Sequence, residues 1–282
     1  MAPLERLRRA ALGLVIAGLA AAVPAQAGPL AAAGQCYADS GLLAPKPGDT
    51  AVAIVDASTA LTTTQRLQAR ELLTGELRPG ASLVLYVFAR GPGQDSVQRV
   101  GSFSMPPLLE DQWKVTKDKS DAVNKCVRDA IVQVRAAVAK AVEQVIDSYT
   151  YAPDGESPVV QAVAQVVASH PTARHFIVIS DGLQNQAGYT LYDFSATRGS
   201  QALRKIEPRR EVEHLARLGT PAMTRAMRIT MFPIGQLEPG ADGKIVQRRL
   251  TAEVDALLEL WGLLFRRGGA GQISVTSFVP GE

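Results

Sequence analysis

Cysteine, histidine and tryptophan are scarce in this chain, at two, three and two residues among 282. His170, His175 and His214 do not cluster with Cys36 or Cys126, which excludes a zinc site built from paired Cys and His ligands. No G-x-S-x-G elbow, no phosphate-binding glycine loop and no Cys–His pair at motif spacing occurs, so the common serine, nucleotide and thiol chemistries have no carrier. A large excess of one charge is missing too: 30 basic residues stand against 27 acidic ones. That balance gives no support to nucleic-acid binding. Beyond the N-terminal segment, no apolar run is long enough to span a bilayer. Repeats and low-complexity tracts are absent apart from the Ala-rich N-terminus.

What is present is ordinary globular material. Hydrophobic residues make up 46% and charged residues 20%, enough for a sizeable core and incompatible with disorder, collagen or coiled coil. The first 27 residues read as an export signal. Arg6, Arg8 and Arg9 precede a 14-residue uncharged stretch, 10–23, and Ala25-Gln26-Ala27 is a small-x-small cleavage site. An uncleaved anchor is the alternative, and Gln35 before Cys36 fits a lipidated cysteine poorly. Without residues 1–27 the chain keeps 27 basic and 26 acidic residues. Export makes a Cys36–Cys126 disulfide the expected state of the two cysteines. It would close a loop of about 90 residues and add roughly 4 kcal/mol in the chain-entropy picture.

Residues 28–48 read as a linker, and 49–282 as one domain. The apolar run Ala51-Val52-Ala53-Ile54-Val55 ends at Asp56 and suits a strand buried on both faces. A helix over about 62–77 follows, with Thr62 to Thr64 offering caps, then a strand over 83–88. Gly91-Pro92-Gly93 turns the chain into an antiparallel edge strand over 97–103. Valines 123, 127, 134, 138, 142 and 145, with Ile131, mark a long helix over 120–147 capped by Ser120. A polar loop, 149–156, leads to Ser157-Pro158, a serine N-cap and proline N1 opening a second helix. Phe176-Ile177-Val178-Ile179 is the next buried strand, ending in Ser180-Asp181-Gly182. A long connection, 183–226, is expected to be helical over 207–218. Then come a strand over 227–234, an amphipathic helix over 251–267 and a last strand over 273–278. This alternation predicts an α/β fold of three layers, Rossmann-like, with a mostly parallel central sheet and one antiparallel edge strand.

In open parallel sheets, sites lie beyond the carboxyl ends of the strands. Asp56 and Asp181 fall there, with Ser58 and Ser157 close by. Such oxygen donors suit a hard divalent cation, Mg²⁺ or Mn²⁺. The alternative is that both acids cap loops and helix N-termini.

These motifs resemble the von Willebrand factor A family. Asp56-Ala57-Ser58-Thr59-Ala60 is similar to its D-x-S-x-S motif, Gly155-Glu156-Ser157-Pro158 to its second loop with serine for threonine, and the strand ending Ser180-Asp181-Gly182 to its third. Ala60 departs from the pattern by removing one hydroxyl ligand. The resemblance covers nearly the whole chain after the export segment. It implies a non-enzymatic binding module whose cation takes a carboxylate of a protein partner, here in the cell envelope. Asp56, Ser58, Ser157 and Asp181 would hold the metal. Thr59, Gln184, Asn185, Tyr189 and Tyr192 are the expected contact residues, since aromatics and amides suit interfaces. Two other readings stand beside it. In one, a metal-free scaffold docks through segment 198–228, which holds eight basic and three acidic residues. In the other, a phosphohydrolase uses Asp56, although Ser58 stands where such enzymes need a second acid.

Overall fold

The computed structural model describes residues 34–59, 61–88, 97–110, 115–147, 157–186, 188–195, 200–235, 237–239 and 245–277. The export segment, Ala60, the turn 91–93, loop 149–156 and the end of the last expected strand lie outside the described residues.

The chain runs β1 (Asp49–Asp56), α1 (Thr63–Gly75), β2 (Ala81–Phe88), β3 (Val97–Ser104), α2 (Lys117–Asp147), α3 (Val159–Ser169) and β4 (His175–Ile179). Four short strands follow, β5 (Asn185–Gln186), β6 (Tyr189–Thr190), β7 (Tyr192–Ser195) and β8 (Ser200–Leu203). The chain then continues as α4 (Pro208–Leu218), β9 (Arg228–Phe232), β10 (Leu237–Pro239), β11 (Ile245–Arg248), α5 (Thr251–Arg267) and β12 (Gln272–Val275). Six strands form the central sheet in the order β12-β9-β4-β1-β2-β3. All neighbours pair in parallel except β2 and β3, which are antiparallel. The expected α/β architecture, with its antiparallel edge strand, is therefore the observed one.

Strand alternation splits the core into two layers, because successive side chains leave opposite faces. Val52, Ile54, Phe176, Val178, Ile229 and Met231 pack with α3, α4 and α5 on one face. Ala51, Ala53, Val55, Leu83, Leu85, Ile177 and Ile179 pack with α1 and α2 on the other. The valine stripe of α2 is buried against this second layer, as its spacing requires. α1 starts at a capping box: the Thr62 hydroxyl accepts from the Gln65 amide at 3.2 Å, and Gln65 Oε1 accepts from the Thr62 amide at 2.9 Å. β9 stops at Phe232 because Pro233 has no N–H for the ladder.

Four expectations change. The described part of the segment read as a linker, 34–48, is anchored: Cys36 and Tyr37 are buried in the second core layer, and the Tyr37 hydroxyl donates to the Pro107 carbonyl. α2 begins at Lys117, a turn earlier than Ser120, which lies inside it and is buried. The connection after β4 is structured as two hairpins, β5–β6 and β7–β8, and then α4. A further hairpin, β10–β11, precedes α5. The Cys36–Cys126 disulfide is present, with Cα atoms 5.6 Å apart across 90 residues of sequence. No described helix is long and apolar enough to cross a membrane.

Candidate functional site

The strand order reverses direction between β1 and β4. From β1 the chain moves outward through β2 and β3, then returns to β4 on the other flank. Loops leaving the carboxyl ends of these two strands diverge, which opens a crevice at the switch point. The register pairs Val55 with Ile179, so Asp56 and Ser180 are the next residues along the two strands and face each other across that edge.

Asp56 is almost fully buried, at 2% exposure, and both its oxygens are occupied. Oδ1 accepts from the Ser58 amide at 2.9 Å and from the Ser58 hydroxyl. Oδ2 accepts from the Ser157 hydroxyl at 3.0 Å and the Ser180 hydroxyl at 2.8 Å. Three loops thus send hydroxyls to one carboxylate. Burial still outweighs these donors and raises its pKa above the usual carboxylate range, because charge is disfavoured away from water.

Asp181 is half-buried. Its Oδ1 accepts from the Leu183 amide at 3.0 Å, an Asx-type turn. Its pKa is pushed up to about 7, first by burial and then by the negative charge of Asp56. The Leu183 amide and the buried positive charge of Arg249 oppose that rise only in part. The two acids are therefore near enough to resist ionising together.

The Asp181 loop is fixed from three sides. Thr59 Oγ1 accepts from the Asp181 amide at 3.1 Å, tying it to the β1 loop. The Asp181 carbonyl accepts from Gly235 N at 2.8 Å. Trp261 Nε1 donates to the Gly182 carbonyl at 3.0 Å, tying it to α5. Gly182 has φ +74°, and a Cβ there would sit 2.5 Å from Trp261 Nε1, so only glycine fits.

All four expected metal ligands, Asp56, Ser58, Ser157 and Asp181, are gathered at this edge. Among the described residues no cluster of three or more His, Cys, Asp or Glu side chains suited to a metal occurs elsewhere or here. Any cation at this edge would rely on hydroxyls and water beside two carboxylates. The donor chemistry fits a hard ion of that kind: two acids repelling each other, with hydroxyl oxygens that donate to Asp56 and keep lone pairs. Ala60, Gly155 and Glu156 lie outside the described residues.

The expected contact residues divide. Thr59 and Gln184, at 4% and 0% exposure, are internal braces and present nothing to a partner. Asn185 forms a two-way backbone bridge with Ser157, at 2.7 and 2.9 Å. Tyr189 is half-buried, donates to Glu211 Oε2 at 2.8 Å and stacks on His214. Burial and that carboxylate raise its phenol pKa. Tyr192 packs partly buried against the first core layer. Sequence reasoning missed Ser180, whose place opposite Asp56 follows once the two apolar runs are aligned at their ends. It also missed the cap role of Gln184, for which no local pattern exists.

No protein-family model matches the chain, and a search of curated proteins finds no match.

Proposed function

We propose that this chain is an exported, von Willebrand factor A-like binding module and not an enzyme. It holds Mg²⁺ or Mn²⁺ at Asp56, Ser58, Ser157 and Asp181, and presents that ion to a carboxylate on a protein partner in the cell envelope. The observation carrying this reading is the meeting of two mutually repelling acids and three hydroxyls at the switch point of the sheet. A bound cation supplies the missing positive charge and an open coordination position for a further acid. The disulfide supports an oxidising compartment, consistent with the N-terminal export pattern.

The phosphohydrolase reading lacks its second acid: Ser58 stands two residues after Asp56 and donates to it. The basic segment is divided by the fold. Arg228 lies 3.4 Å from Glu76 at the opposite end of the sheet, whereas Arg209, Arg210 and Arg217 are exposed on α4. A metal-free scaffold docking through 198–228 would therefore use α4 with the exposed Arg204 and Lys205 just before it, and not the whole segment.

The test is a titration of Mg²⁺ and of Mn²⁺ into the wild-type protein and Asp181→Ala, read by calorimetry and by melting temperature. Saturable binding by wild type and its loss in the variant are expected. Equal responses from the two proteins would discard the cation site.

A further inference from the structure

Ser157-Pro158 carries the sequence pattern of a helix N-cap, yet the serine does not cap. α3 starts at Val159 with Pro158 in the cap position, and no cap side-chain bond is made there. The Ser157 hydroxyl instead crosses to Asp56 Oδ2. The Val159 amide turns back to the Ser157 carbonyl at 2.9 Å, but that diversion leaves the Val160 amide without the expected acceptor. Val160 is buried, at 0% exposure, where an unmet N–H is costly.

The acceptor comes from Gln184. Its side chain is fully buried, and Oε1 accepts from the Val160 amide at 2.9 Å. The amide's orientation is set from its other end. Nε2 lies 3.4 Å from Gln161 Oε1 and 3.3 Å from Gln186 Oε1, so the oxygen is the end that faces the helix. Next to it, the two-way backbone bridge between Asn185 and Ser157 fixes the serine relative to Gln184. A serine hydroxyl occupies one rotamer at a time. The rotamer that reaches an N2 or N3 amide of its own helix is not the one that reaches across to β1.

We propose that Gln184 is a positioning residue for the acidic site: by capping α3 it releases the Ser157 hydroxyl to Asp56. The proposal rests on the reading of Asp56, Ser58, Ser157 and Asp181 as a cation site. It adds that hairpin β5–β6, through Gln184 and Asn185, is mechanically joined to that site. A partner seated on the hairpin would therefore be felt at Asp56.

The experiment is a double-mutant cycle on the full chain with Mn²⁺ as probe, read by electron paramagnetic resonance. Gln184→Met removes the acceptor at nearly constant volume, and Gln184→Glu keeps one. Gln184→Met is expected to weaken Mn²⁺ binding about tenfold, the usual cost of losing a partner that orients a ligand, and Ser157→Ala, which removes the oriented hydroxyl itself, at least as much. The double variant should be no weaker than Ser157→Ala, and Gln184→Glu should bind as wild type does. Additive losses, or a Gln184→Met protein that binds normally while Ser157→Ala does not, would overturn the proposal. If wild type binds no Mn²⁺, the cation reading itself fails, and the same cycle is run on urea unfolding without metal. Non-additive unfolding constants then support the exchange of caps, and additive ones refute it.

Discussion

The same strands carry a polar cluster at each end, and the two clusters are built on opposite electrostatic plans. At the amino end, Glu76 caps α1 and faces His175, the first residue of β4, with Oε1 2.8 Å from Nδ1. His175 Nε2 lies 2.9 Å from Thr230 Oγ1 on β9, and Arg228 closes the group 3.4 Å from Glu76. Burial alone would raise the Glu76 pKa, but His175, Arg228 and Arg78 outweigh it and hold the carboxyl below its usual range. At the carboxyl end, Asp56 and Asp181 meet hydroxyls and each other, and both are pushed up. One cluster is balanced within the protein. In the other, two acids compete to ionise with only Arg249 in partial compensation, and such perturbed pairs are where binding chemistry tends to be found.

Breaking the balanced end should have the largest effect. Glu76→Gln leaves His175 and Arg228 without their acid and is expected to cost about 2 kcal/mol of stability at neutral pH. Because the folded pKa of Glu76 is depressed, this contribution is fully present above the unfolded value near 4.5. It is lost as pH falls through the lower folded value. Urea unfolding of wild type and variant should differ at pH 7 and converge toward pH 3. A constant difference across that range would show that packing, not charge, explains the loss.

At the carboxyl end, Thr59→Val removes the acceptor of the Asp181 amide without changing volume much. A loss of about 1 kcal/mol is expected, with faster hydrogen exchange at that amide. Asp181→Asn should cost less than about 1 kcal/mol, since asparagine keeps an oxygen for the Leu183 amide and removes a repelling charge. The pH dependence has the opposite sign from that of Glu76. A folded pKa near 7, above the unfolded value near 4, means that the folded state binds the extra proton between them. Wild-type stability should therefore decline from pH 4 to 7 relative to Asp181→Asn, and saturating Mg²⁺ should remove the decline. A variant that loses stability as Glu76→Gln does would make the two ends equivalent.

The layered fold was legible because it rests on two periodicities. The apolar runs 51–55 and 176–179 and the valine stripe of α2 have no other way to be buried. The first and third loops were legible for a related reason: a run that stops abruptly at an acid marks a strand's carboxyl end, and two such ends lie side by side in a parallel sheet. The caps were legible only in part: Thr62 caps α1 as its sequence announces, but the caps at α3 were not. Ser157 follows a local rule that a tertiary partner overrides, since a buried carboxylate draws a hydroxyl more strongly than an amide does. Gln184 lies 24 residues from the amide it caps, and no spacing announces that. Cys36 and Tyr37 were hidden by their Ala- and Gly-rich neighbours, although the disulfide they lead into was expected.

The smallest effect tests whether burial or simple charge pairing separates the two ends. Arg78 and Asp49 also sit at the amino end, 2.9 Å apart, closer than Arg228 is to Glu76. Their side chains are 68% and 41% exposed, against 20% for Glu76. Water screens an exposed pair and two long side chains lose freedom to form it, so proximity alone confers little. Arg78→Ala is expected to cost no more than about 0.5 kcal/mol, and the difference should vanish in about 1 M salt. Glu76→Gln should keep more of its effect there, because Glu76 and His175 are sheltered, at 20% and 7% exposure, although Arg228 is not. If Arg78→Ala proved as damaging as Glu76→Gln, counting charges would describe the amino end as well as burial does, and the contrast with the acidic pair would lose its physical basis.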